Sequence, residues 1–180
     1  MKRGERRQLL ILLLVFAVLL IAGLVITTQQ ANRPLPEYPF LRVFPEVNES
    51  DIAAIRLRDP NTEQAFTMTR AEDGTWVTPE GVPLNENGIL IARTLALLPY
   101  DRILTILPNA DITEYGFAPN GTLRVEIILT DGDVHGVAIG GLASTNLTYY
   151  ALVDDQPEIY VILRPAVEYL IAQLRNPPTA

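Results

Sequence analysis

Val125-Glu126-Ile127-Ile128-Leu129, then Thr130-Asp131-Gly132-Asp133, then Val134-His135-Gly136-Val137-Ala138-Ile139 spell two strands joined by a tight turn. Side chains along a strand point alternately to its two faces, so Val125, Ile127 and Leu129 share one face and Glu126 takes the other. Between the strands, Asp-Gly supplies the positive φ that a tight hairpin turn requires. A hairpin of this kind is antiparallel, and one such pair is not stable alone. The chain must therefore supply more strands and something to cover one face.

Toward the C-terminus, Tyr149 to Val153 and Ile159 to Leu163 form a second hairpin across Asp154-Asp155-Gln156-Pro157. Pro165 then opens a helix carrying Val167, Tyr169, Leu170, Ile171 and Leu174, because proline is tolerated in the first turn of a helix. Toward the N-terminus, Pro119-Asn120-Gly121 leads into Leu123 to Leu129, Asp111 to Tyr115 is a helical turn ended by Gly116, and Arg102 to Leu107 reads as a strand. Asn85 is an N-cap for a helix with Ile89, Leu90, Ala92, Arg93, Ala96, Leu97 and Leu98 as its apolar face, stopped by Pro99. Further upstream, Ile52, Ala54 and Arg56 alternate with Ala53, Ile55 and Leu57. Asp59-Pro60-Asn61 turns the chain into Ala65 to Thr69, and Asp73-Gly74 delivers Trp76-Val77 as a third strand. The expected fold is α+β: a mainly antiparallel sheet of hairpins with about two packed helices, over residues 50–175, with 176–180 as a tail.

The N-terminal part follows other rules. Residues 9–26 are uncharged and almost wholly apolar, and the next charge is Arg33. That matches the roughly 20 residues a bilayer-spanning helix needs. A cleavable signal peptide has a shorter apolar core, about 7 to 15 residues, followed by a small-x-small site; here Ala22-Gly23 falls inside the run. The expectation is a single anchor over 9–30. Lys2, Arg3, Arg6 and Arg7 against Glu5 alone precede it, and Thr27 to Asn32 carry no charge, so the positive-inside rule places tail 1–8 in the cytoplasm and the remainder outside it. The span has no acidic, basic or amide side chain before Gln29, so it can neither relay protons nor ligate a cofactor. Ala17, Ala22 and Gly23 are its small residues for packing against another helix.

After it, residues 31–49 carry Pro34, Pro36, Pro39 and Pro45 among Tyr38, Phe40 and Phe44, a spacing that favours extended, polyproline-like backbone. Tyr38, Phe40 and Phe44 are the candidate partner contacts, the alternative being that these rings pack back on their own domain.

The chain's 180 residues hold no cysteine and one histidine, with 21 acidic against 14 basic residues. Disulfides, zinc fingers, iron–sulfur clusters and bis-histidine haem ligation fail by counting. The acidic balance argues against attraction to nucleic acid. No lysine follows Lys2, so Gly140-Gly141 reads as a turn or bulge rather than a phosphate loop. Asp131/Asp133 and Asp154/Asp155 fall on hairpin turns, where aspartate serves local backbone hydrogen bonds. Ser50 and Ser144 lie outside any GxSxG setting, and His135 lies within a strand. No catalytic residue, cofactor or metal is expected.

The run Asp111-Ile112-Thr113-Glu114-Tyr115-Gly116-Phe117-Ala118-Pro119, the DG turn, Ile139-Gly140 and Ile159-Tyr160-Val161-Ile162 resemble the domain of unknown function 4340 family. Gly74-Thr75-Trp76 and the helix from Asn85 to Leu98 sit where that family carries its own turn and helix, so the resemblance spans about Asp51 to Leu174. It implies a bacterial inner-membrane anchor with a periplasmic domain, in some members encoded beside gliding-type ABC transporters. Members often hold two or more such units, and this chain has room for one. The expected role is a non-catalytic accessory or scaffold subunit of a membrane complex, a transporter or an electron-transfer assembly. The partners are the bilayer through 9–26 and other proteins. The alternatives are an exported carboxylate enzyme on glycans or peptides, and an extracytoplasmic ligand sensor.

Overall fold

Each hairpin closes through the chemistry of its turn. Gly132 takes φ +99°, and the Asp133 N–H donates to Asp131 Oδ1 at 3.0 Å. In the turn after Arg58, Asp59 Oδ1 accepts from the Asn61 N–H at 2.8 Å. In the computed structural model the described residues are 41–106, 111–117, 119–154 and 156–179. The chain divides into units Met1–Pro39 and Phe40–Ala180. The expected anchor at 9–30, the basic tail at 1–8, Tyr38 and Phe40 lie outside the described residues. Among those described, no helix is long and apolar enough to cross a membrane.

Nine strands are described: β1 (Leu41–Arg42), β2 (Ile52–Arg58), β3 (Ala65–Arg70), β4 (Trp76–Val77), β5 (Pro99–Thr105), β6 (Leu123–Leu129), β7 (Val134–Leu142), β8 (Thr148–Val153) and β9 (Glu158–Leu163). They form one sheet in the order β1-β5-β9-β8-β7-β6-β2-β3-β4, and every pairing is antiparallel. Two helices complete an α+β fold, α1 (Glu86–Ala96) and α2 (Arg164–Arg175). The chain leaves β4 at one edge of the sheet and enters β5 near the other, so α1 is carried across a face. α2 packs beside it against β2, β8 and β9.

The face under the helices holds the core: Ile55 and Leu57 from β2, Phe66 and Met68 from β3, Leu123, Val125 and Ile127 from β6, Val137 and Ile139 from β7, Ile162 from β9. Ile91 and Leu95 of α1 and Val167, Leu170 and Leu174 of α2 close over them. At about 25 cal/mol per Å² of apolar surface buried, this cluster dominates stability. Strict alternation along β2 would send Ile52 to the face opposite Ile55, yet both are fully buried. A bulge resolves this: the register with β6 shifts between Ile52 and Ala54, and one extra residue reverses the phase of the alternation.

The opposite face is covered where the segment between β5 and β6 crosses it. Asp111 caps the 3-10 turn Ile112–Tyr115 by accepting from the Thr113 N–H at 2.9 Å, and Gly116 ends it at φ +76°. The Tyr115 ring meets Tyr150 of β8 edge-on, centroids 5.0 Å apart. Gly140 makes the crossing fit, because a Cβ there would stand 2.5 Å from the Tyr115 carbonyl oxygen and 2.8 Å from the Phe117 ring.

Three boundaries differ from the sequence reading. Residues 41–49, expected in a stalk, belong to the folded unit: β1 pairs with β5, and Val43, Phe44 and Val47 are core residues. Prolines at 39 and 45 exclude helix and interior ladder pairing, but leave extended chain free to bury the side chains between them. β5 begins at Pro99, where a missing N–H is tolerated at a strand's first residue. Residues 176–179 are tied down, with the Asn85 N–H donating to the Pro178 carbonyl at 3.0 Å and Leu84 bridged to Thr179.

Candidate interaction surface

α1 is capped by Asn85, whose side chain accepts from the Asn87 N–H at 2.9 Å, and its inner stripe is Gly88, Ile91, Ala92, Leu95 and Ala96. Gly88 sits against Trp76 and Leu84, where a Cβ would lie 2.9 Å from the Leu84 Cβ. This seats the start of the helix on the sheet. The opposite side of α1 is also apolar, and Ile89, Leu90 and Leu97 are exposed at 39%, 39% and 50%. The expected apolar face is thus partly corrected: Ile89, Leu90 and Leu97 face away from the core, and Ile91 and Leu95, absent from that reading, carry the packing.

Leu90, Arg93, Thr94, Leu97 and Pro99 form one wall of a groove of about 390 Å³; Pro165, Ala166 and Tyr169 of α2 form the other. Its length along α1, from Leu90 to Leu97, is about 10 Å at 1.5 Å per residue. The Tyr169 hydroxyl donates to the Asn87 carbonyl at 3.4 Å and closes one end. Desolvation holds that phenol above its ordinary range. At the other end the Arg164 N–H donates to the Leu147 carbonyl at 3.0 Å, which sets another exposed leucine, Leu147, beside the start of α2. Concave apolar surface bounded by polar side chains is the usual signature of a binding site.

Arg93 is the charged residue on its wall. Arg93 Nε donates to Glu49 at 3.1 Å, and the same carboxylate lies 3.9 Å from Arg70. Asp51 faces Arg70 as well, so the two guanidinium groups meet two carboxylates. Arg70 also lies over the Trp76 ring at 5.0 Å, and its Nε and the indole Nε1 are buried without a hydrogen-bond partner among the described residues.

Phe44, an expected partner contact, is 5% exposed within the core. It is corrected to a packing residue, its ring centroid 5.0 Å from that of His135. Burial wins because a phenylalanine removed from water is stabilised by about 1.5–3 kcal/mol. His135 Nδ1 lies 2.7 Å from Asp154 Oδ2, a carboxylate–imidazole pair such as fixes a ring tautomer in many active sites. The other carboxylate oxygen accepts from the Gly136 N–H at 2.6 Å, and Asp154 itself takes φ +48°. Both oxygens therefore hold the β8–β9 turn to β7. The pair joins residues of two turns and strands that only the sheet brings together, so no local pattern in the chain signals it.

The other residues weighed for chemistry lie apart. Asp131 and Asp133 are on the exposed β6–β7 turn, Ser50 hydrogen-bonds Asp51 at 3.2 Å, and Asp155 is outside the described residues. Among the described residues no group of three or more His, Asp or Glu could hold a metal ion. Gly140-Gly141 lies against Tyr115 and Gly116, and the ladder with β8 is irregular between Ile139 and Leu142. A second groove, of about 710 Å³, runs over β6, β7 and β8 on the face away from the helices, floored by Gly136 and Ala138 and flanked by Arg124, Glu126 and Leu152.

Compared with protein-family models, curated proteins and solved structures, the chain matches none.

Proposed function

We propose that the chain is a membrane-anchored accessory subunit that presents the Phe40–Ala180 domain outside the cytoplasm and docks a protein partner in the groove between α1 and α2. Residues 9–26 span the inner membrane with the N-terminus in the cytoplasm, as the charge asymmetry around the apolar run requires. Kinship with the domain of unknown function 4340 family belongs to the same proposal, and a transporter or electron-transfer assembly is the kind of complex it implies.

The observation that carries the reading is the pair of exposed leucines, Leu90 and Leu97, that line the groove on the outer side of α1. Large apolar side chains that line a concavity are stabilised by a partner that removes them from water. Support over a carboxylate enzyme comes from Asp154, whose two oxygens are engaged in holding a turn. Support over a sensor of small ligands comes from the filled core beneath the helices.

The test is purification of the tagged full-length chain from its native membrane in mild detergent, followed by native electrophoresis and mass spectrometry. The expected result is stoichiometric co-migration with a multisubunit complex, lost in a Leu90→Asp/Leu97→Asp double variant that melts like the parent. A lone monomer across several detergents overturns the reading.

A further inference from the structure

We propose that one end of the sheet lies against the bilayer that holds residues 9–26, with Leu142 and Leu147 entering the headgroup layer. This rests on the anchoring part of the reading above and is independent of the groove. The pairings Arg42↔Pro99, Tyr100↔Ile162, Thr148↔Leu163 and Leu142↔Tyr149 bring ends of β1, β5, β9, β8 and β7 into one row. Leu41 is 47% exposed at one side of the row, and Leu142 and Leu147 are 38% and 70% exposed at the other. Pro99 and the exposed Pro165 stand between them. The turn that holds Leu147 outward is fastened on both sides. Asn146 takes φ +59° and its N–H donates to the Ala143 carbonyl at 2.8 Å, while the Arg164 guanidinium donates to the Asn146 carbonyl at 3.1 Å.

Charge separates the two ends of these strands. From Phe40 onward the chain has nineteen acidic and nine basic residues. Residues 41–42, 97–100, 142–149 and 163–167, which make up the row, hold none of the acidic ones and two of the basic, Arg42 and Arg164. Arg164 pairs with Glu168 one turn along α2, so the row is close to neutral. The opposite ends of the same strands adjoin Asp131, Asp133, Asp154 and Glu158. Six residues of β9 put about 20 Å between the ends, more than twice the Debye length of about 8 Å at physiological salt. The acidic end is thus screened from a headgroup layer at the row, while an approach with that end first meets repulsion from anionic lipid. Beyond β6 the turn after Arg58 holds Asp59 and Glu63, the latter paired with Arg58, which bounds the surface at β7.

The covalent chain selects the bilayer as the occupant. Leu41 is joined to the apolar run by the fourteen residues 27–40, a reach of at most about 50 Å. A bilayer holding that run stays at high local concentration around the domain, so a weak contact suffices. Leu142 and Leu147 flank Ser144, Thr145 and Asn146, and leucines beside hydroxyl and amide groups suit the boundary between headgroups and acyl chains.

The chain has no cysteine, so Leu142→Cys, Leu147→Cys and Val134→Cys each carry one environment-sensitive fluorophore on the full-length protein in phosphatidylcholine vesicles. Val134, 58% exposed, is the reference at the opposite end of β7. Labels at 142 and 147 are expected to be quenched by brominated phosphatidylcholine. They should also be shielded from aqueous iodide about threefold or more relative to 134, because insertion by about 5–10 Å removes a side chain from water. Labels at 142 and 147 as open to iodide as 134 overturn the proposal. Shielding without quenching by the brominated lipid means cover by a second copy of the chain and overturns it too. In the native membrane a photo-crosslinking residue at 147 is expected to join lipid, and one that joins a protein instead overturns the bilayer as occupant. Vesicles that float without the chain refute the anchor and this proposal together; a chain that floats with them while 147 stays open to iodide refutes this proposal alone.

Discussion

Gly140→Ala isolates the contact that lets the β5–β6 connection lie on the sheet. The added Cβ would stand 2.5 Å from the Tyr115 carbonyl oxygen and 2.8 and 2.9 Å from two atoms of the Phe117 ring. The ring can turn, but the carbonyl belongs to a 3-10 turn closed by the Gly116 N–H on the Thr113 carbonyl at 2.9 Å. Gly116 behind it is equally tight, since its own Cβ position is 2.5 Å from the Gly141 nitrogen. The turn must therefore lift from the sheet, and part of the Tyr115–Tyr150 contact, worth about 0.5–1.5 kcal/mol, goes with it. Overpacking of this kind costs about 1–3 kcal/mol, and loss of chain entropy in the unfolded state returns about 0.4–1 kcal/mol. The net destabilisation is about 1–2 kcal/mol, or roughly 3–8 °C in Tm for a domain of this size. Gly136→Ala is the internal comparison, on the same strand and the same face, with nothing within 4 Å of its Cβ. It should leave Tm unchanged or raise it. Thermal unfolding of the two variants followed by circular dichroism decides: equal shifts, or a Gly140→Ala protein that melts with the parent, refute the close approach of the connection to β7.

Leu95→Ala should cost about 2–5 kcal/mol because Leu95 is fully buried, whereas Leu97→Ala two residues on should stay within about 0.5 kcal/mol; urea midpoints that rank the pair the other way would reverse the assignment of the faces of α1. Asn85→Ala removes the cap of α1 and should lower stability by about 1 kcal/mol in the same titration. The carboxyls of Asp51, Asp59, Asp73 and Asp111 are held below their ordinary 3.8, Asp51 and Asp59 foremost by backbone N–H donors at Asn48 and Asn61, Asp73 and Asp111 foremost by the hydroxyls of Thr75 and Thr113. The native state then binds fewer protons than the unfolded state near and below that pH. Their contribution is present above pH 3.8 and fades as pH falls through the lowered values, so Tm should drop on acidification below about pH 4 and should do so less in an Asp111→Asn variant. Tyr160 and Tyr169 are raised above 10 by burial, so the opposite holds at the alkaline end, where Tm should fall as pH rises past 10, measurable alongside tyrosinate absorbance near 295 nm.

Local order in this chain is written locally. The β6–β7 hairpin, the strands at Trp76 and Tyr149, the Asn85 cap and the helix opened by Pro165 rest on alternation, turn residues and caps a few positions apart, and the sequence by itself determines them. The α+β class follows, because such hairpins need helices to cover a face. What only the tertiary structure decided is which apolar residues are inside. α1 carries apolar side chains on two sides, and its 3.6-residue period cannot tell Ile91 and Leu95 from Leu90 and Leu97 until β4, at one edge of the sheet, and β5, next to the other edge, set the helix's path and rotation across it. Phe44 is a stalk ring by composition and a core ring by position, since the residue it meets, His135, is ninety-one positions away. The bulge at Ala53 and the seat of Gly140 under Tyr115 are likewise facts about neighbouring strands and a crossing segment. Contacts between residues far apart in the chain carry no local periodicity, so the groove between α1 and α2 is legible only once the fold has placed the other apolar residues in its core.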